Sequence, residues 1–145
     1  MSDLILINAI ATWYMAGLIW FVQLVHYPLF ANVAENSFTA YHKRHMDATG
    51  WAVGPSMIVE ALSTILLLIR RPAAVPLWVA WSGLAMVVAL WLSTALVQVP
   101  AHYRLGRGED RSLIRWLTLT NWLRTALWSA RGALMAWAIR LCLRA

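Results

Sequence analysis

One cysteine, one lysine and six acidic side chains are spread through 145 residues. The lone Cys142 excludes an intramolecular disulfide, and with it any metal cage built from two or more thiolates of one chain. Neither an HExxH motif nor a paired Cys-x-x-Cys occurs, and three glutamates, Glu35, Glu60 and Glu109, are too few for a dinuclear carboxylate site. A Ser-His-Asp triad is equally poorly supported, because Asp47 and Asp110 fall in segments between apolar runs and no nucleophile-elbow glycines flank a serine. The amino-terminal run lacks a basic leader and a small-residue cleavage site, so it reads as a retained span.

What replaces these features is apolar sequence. Hydrophobic residues make up 61% and charged residues 12%, a balance that points to lipid as the solvent. The formal charge of +6 would suggest nucleic acid in a soluble protein. Here most arginines flank apolar runs, where they read as anchors at a membrane surface, so no nucleic-acid partner is expected.

About 20 helical residues cross a hydrocarbon layer. Four segments qualify, at 4–27, 52–70, 76–100 and 113–141, and together they predict a single all-α domain: a four-helix transmembrane bundle, up-down-up-down, with both termini on one side. Arg70-Arg71-Pro72 and Pro76 make a short connection that forces the second and third spans to be antiparallel neighbours. Gly106, Gly108 and the charged run Glu109-Asp110-Arg111 mark the last turn, with Asp110 or Ser112 as the helix cap. Trp51, Trp78, Trp81 and Trp116 lie near span ends, where an indole suits the headgroup layer. The expected setting is a multi-pass integral membrane protein, with the bilayer as partner and a homo-oligomer as an option.

Connectivity alone brings all four histidines to one face. His26 ends the first span, His42 and His45 precede the second, and His102 follows the third. The segment from Ser37 to Met46 favours a helix, so the second helix is expected to start near Phe38, extend beyond the membrane, and kink at Gly54-Pro55. At about 100° per residue, His42 and His45 share one face while Lys43 and Arg44 point away. That face continues through Thr49, Val53, Ser56 and Glu60. Similar polar stripes run through Gln23 and His26, through Thr94, Gln98 and His102, and through Asn121, Arg124, Trp128 and Arg131.

An ionisable group in a span is costly, at least about 2.5 kcal/mol on insertion scales, and needs a partner. Depth counted along ideal helices pairs Glu60 with Arg124, with Asn121 and Gln98 nearby as hydrogen-bonding neighbours. Imidazole suits copper, iron, zinc and haem iron, so His26, His42, His45 and His102 are candidate metal ligands, and a pair such as His26 or His45 with His102 is a candidate for bis-histidine haem. The plainer alternative makes the histidines an interfacial rim and Glu60 with its arginine a register-fixing pair.

The run QLVHYPLF at 23–30, the YHxxH and GPSMIVEALS elements between 41 and 63, and TNWLRTALWSAR at 120–131 resemble patterns in a family of uncharacterised small four-helix bacterial integral membrane proteins. The closing Asn-Trp-x-Arg-Thr element also resembles that of the broader anthrone-oxygenase-like membrane family. That resemblance implies a four-helix membrane bundle oxidising an aromatic substrate, with Asn121 and Arg124 carrying the Asn-x-x-Arg pattern. The histidine set departs from that family's pattern and favours an added metal or haem.

Together these readings give an expected function: a membrane-embedded redox protein acting on a small lipophilic aromatic or quinone-like substrate. In that reading Arg124 and Asn121 hold the substrate's oxygens, Glu60 moves protons, and Trp128 stacks on its ring. Two rivals use the same residues differently. One is a small proton-coupled carrier, and the other is an accessory subunit whose alanine seams at Ala126, Ala130 and Ala133 pack a partner helix.

Overall fold

The computed structural model describes residues 3–144, which form four long helices with no strand among the described residues. They are α1 (Asp3–Asn32), α2 (Glu35–Arg70), α3 (Leu77–Leu105) and α4 (Arg111–Arg144). Helix α1 packs along α2 and α4, while α3 packs against α2 and α4 on the other side, so each helix has two main neighbours. The first three are long and apolar enough to cross a membrane.

Helix α4 is not among those three, although its 34 residues would span about 50 Å at 1.5 Å per residue. Composition explains the difference. Asn121, Arg124, Thr125 and Arg131 are buried within the bundle and lower the helix's average hydropathy, even though Leu119 and Leu123 on its outer face are exposed. The whole molecule follows this inverted arrangement. Polar side chains such as Asn8, Thr12, Gln23, Ser63 and Gln98 are buried, whereas Ile10, Leu24, Ile58, Leu62, Ile69 and Leu96 lie on the surface. Trp51, Trp78, Trp81 and Trp116 are likewise exposed.

The helix limits refine the expected ones. Helix α2 begins at Glu35, three residues ahead of Phe38, and runs unbroken as helix through Pro55. Asp110 caps α4, its carboxylate accepting a hydrogen bond from the Leu113 amide at 2.9 Å. Both α1 and α3 contain a π-helical turn, at Val22–His26 and Thr94–Gln98, and a proline follows each by two residues, Pro28 and Pro100. Proline has no N–H to offer the carbonyl four residues back, and a widened turn relieves the clash of its ring with that carbonyl. The wider turn also shifts the face that each helix presents. On α1 it buries Gln23 and Tyr27 and leaves His26 at the edge, and on α3 it buries Gln98 and His102.

Candidate functional site

Two polar centres lie along the bundle. The deeper one is built around Glu60 of α2. Its Oε1 accepts hydrogen bonds from Arg131 Nε and from the Thr12 hydroxyl, both at 2.8 Å, and its Oε2 accepts one from the Trp128 indole at 3.0 Å. Arg131 in turn donates to the Gly83 carbonyl at 2.6 Å, and through its second terminal nitrogen to Asn8, Thr12 and Thr64 at 3.1 to 3.3 Å. Gly83 is small for a reason: a Cβ there would lie 3.3 Å from the Arg131 guanidinium. All four helices contribute, and every polar atom of the ion pair is engaged.

This corrects the expected pairing of Glu60 with Arg124. Glu60 is bridged to Arg131, two helix turns further along α4. The depth count failed because it measured the two helices from different levels. Helix α4 starts at Arg111, and its first turns, at Leu113, Ile114 and Leu117, already pack in the cluster that holds Phe30 and Phe38 beside the histidines. A residue fifteen positions beyond His45 is therefore level with the second arginine rather than the first.

The second centre is at the histidine end. His26 Nε2 lies 2.6 Å from His45 Nδ1, and His42 Nε2 lies 3.0 Å from His102 Nδ1. The two pairs are adjacent, with His45 and His102 ring centres 5.3 Å apart and those of His42 and His45 5.8 Å apart. Phe30, fully buried, sets its edge against the group, 4.9 Å from His45 and 5.1 Å from His26. Two neighbours orient the rings: the Tyr27 hydroxyl sits 3.0 Å from His102 Nε2, and the Thr49 hydroxyl 3.0 Å from His45 Nδ1. Tyr27 was not a candidate from sequence; its place beside His26 was visible there, but the widened turn that buries it was not.

His42 and His45 lie on the part of α2 that precedes its apolar run. Burial lowers the pKa of both, and His45 falls to about 3 because the adjoining His26 and His42 rings add repulsion. Neutral rings keep a lone pair each. Two imidazoles on one tetrahedral ion stand about 3.3 Å apart, from metal–nitrogen bonds of about 2.0 to 2.1 Å, so both observed pairs are tighter than ligated ones. No group of three or more His, Cys, Asp or Glu among the described residues is arranged around a common point as it stands. Opening either pair by a few tenths of an ångström would let its two nitrogens share one ion. A haem fits much less well, because the internal cavity adjoining His45 measures only about 30 Å³.

Outside the group a surface groove of about 500 Å³ is lined by His42, His102, Lys43, Asp47, Tyr103 and Arg107, among others. It gives the second imidazole pair access from the end of the bundle.

Arg124 stands between the two centres. It donates to Asn121 Oδ1 at 3.1 Å, Asn121 donates to Gln23 Oε1 at 3.0 Å, and the guanidinium lies 5.1 Å above the Trp128 ring. Trp128 has no exposed surface, with one edge bonded to Glu60 and a face under Arg124, so it is placed to pack rather than to stack on a substrate. Gln98 lies apart, donating weakly to Thr120 at 3.3 Å. No protein-family model, curated protein or solved structure matches the chain.

Proposed function

We propose that the chain is a multi-pass membrane protein, an up-down-up-down bundle, that binds a transition-metal ion through His26, His42, His45 and His102 and uses it in redox chemistry. The observation that carries this reading is the meeting of four buried or half-buried imidazoles, drawn from three helices, as two nitrogen pairs at 2.6 and 3.0 Å. An all-imidazole donor set suits copper, iron, zinc or nickel, and of these zinc has no redox chemistry, so copper or iron fits the reading. The flanking contacts support it too, because ligating histidines are commonly oriented through their other ring atom, as Tyr27 does for His102. Membrane insertion is supported by the inverted surface, apolar outside and polar within, on three helices of sufficient length.

The substrate class that fits is a small lipophilic aromatic or quinone-like molecule, entering through the groove at His42 and His102 rather than reaching Arg124. Lys43 and Arg107 on the rim of that groove would receive its oxygen functions. A proton-carrier reading has less support, since the Glu60 carboxylate is saturated by three side-chain donors.

Elemental analysis and the absorption spectrum of detergent-purified protein test this directly. About one transition-metal ion per chain is expected, falling several-fold in His42→Ala and in His45→Ala. Absence of any stoichiometric metal would overturn the proposal. A Soret band would reassign the histidines to haem and show that the bundle opens further than the structure suggests.

A further inference from the structure

The two buried arginines have unequal surroundings. Arg131 meets Glu60, so that centre is neutral. Arg124 is 6% exposed and, among the described residues, has no carboxylate partner and no hydrogen-bond partner for its Nε. A guanidinium kept from water without a counter-charge is strongly unfavourable. Against it lies the cavity of about 30 Å³, lined by Arg124, Tyr27, His45 and Thr49 together with apolar side chains including Met15 and Val53. A water molecule needs about 10 to 15 Å³ by this measure, so the space holds about two groups of that size.

His45 supplies the second unsatisfied atom. Its Nε2 is buried without a partner, although the residue is only 7% exposed. Its Nδ1 faces both His26 and the Thr49 hydroxyl. With Nδ1 accepting from those neighbours, or bound to a metal, the proton of the neutral ring must sit on Nε2. Two residues that line the cavity then each carry a buried N–H donor without an acceptor, one of them on a fixed cation.

From this arrangement we infer that the cavity between α1, α2 and α4 is a binding site for a small monovalent anion of two or three non-hydrogen atoms, held by Arg124 Nε and His45 Nε2. The anion neutralises the single uncompensated charge between the histidine group and Glu60. Charge-assisted bonds from guanidinium and imidazole provide the affinity, and the size of the cavity provides the selection against larger anions. The site stands with or without a metal so long as Nδ1 of His45 accepts from its neighbours or binds the ion, which leaves Nε2 as the free donor.

Azide, a linear triatomic anion, is the probe. Full-length protein in detergent, stripped with a chelator and exchanged into a bulky sulfonate buffer, should take up azide at one saturable site, followed by calorimetry and by the infrared stretch of the bound ion. Arg124→Gln should weaken binding at least tenfold. Val53→Leu, which keeps both donors and extends a methylene into the cavity, should do the same, and it serves if the arginine variant does not fold. His42→Ala, which leaves the cavity lining intact, should bind azide as the parent protein does. Absence of saturable uptake by the parent protein overturns the inference, and so does unchanged affinity in Val53→Leu. Binding that appears only with metal present and vanishes in His42→Ala also overturns it, by assigning azide to the metal. Absence of metal with azide binding retained would defeat only the redox reading.

Discussion

The bundle has two buried polar centres of different composition and opposite completeness. At Glu60 every donor and acceptor of the ion pair has a partner contributed by a neighbouring helix. At the histidine end, His45 Nε2 and Arg124 Nε are left over, and a cavity lies between their residues. A saturated buried network fixes register and rigidity, whereas an unsaturated one retains binding capacity at a cost in stability. The difference marks the Glu60 centre as structural and the histidine end as the one where we propose binding.

The largest effect should come from breaking the complete centre. Glu60→Ala leaves Arg131 as a buried cation with its main acceptor gone, and breaking a buried pair from one side typically costs about 3–5 kcal/mol. Unfolding in mixed detergent should register that loss, and the double replacement Glu60→Leu with Arg131→Met should restore much of it. A single variant as stable as the parent would show that the pair does not hold the helices together. Trp128→Phe is a smaller cut. It keeps a ring under Arg124 but leaves Glu60 Oε2 without its donor, which is expected to cost about 1–3 kcal/mol by the same assay.

The same contrast explains what could be read from the sequence. Apolar runs and turn residues located the four helices, because helix length and the positions of Pro72, Pro76 and Gly106 are local properties. The gathering of the histidines followed from connectivity, which needs only the order of the helices. The pairing at Glu60 was not legible, since it depends on the relative height of α2 and α4, and no residue in either helix announces where α4 begins relative to His45. Asn8 and Thr12, four apart on α1, carried a weak signal of the same stripe logic applied elsewhere, yet their role depends on which arginine arrives opposite them. The two π-helical turns were hidden for a related reason. Pro28 and Pro100 predict a disturbance, but whether a helix kinks or widens is decided by its neighbours.

Arg124→Gln should produce the smallest change in stability, and its sign carries the most information. In the Glu60 centre an arginine is an asset, since removing it strands a carboxylate. Arg124 strands nothing of comparable cost: its neighbours are neutral, the Tyr27 hydroxyl, the Asn121 carboxamide, which keeps its bond to Gln23, and the face of Trp128. A glutamine keeps a donor for Asn121 and removes a buried charge that has no counter-ion. In protein stripped of small anions the variant is therefore expected to unfold within about 1 kcal/mol of the parent, or above it, by the scale of ordinary single substitutions. Adding azide should then stabilise the parent and leave the variant unmoved, reversing their order. If Arg124→Gln were instead as damaging as Arg131→Gln under anion-free conditions, both arginines would be structural, and the contrast between the two centres would fail.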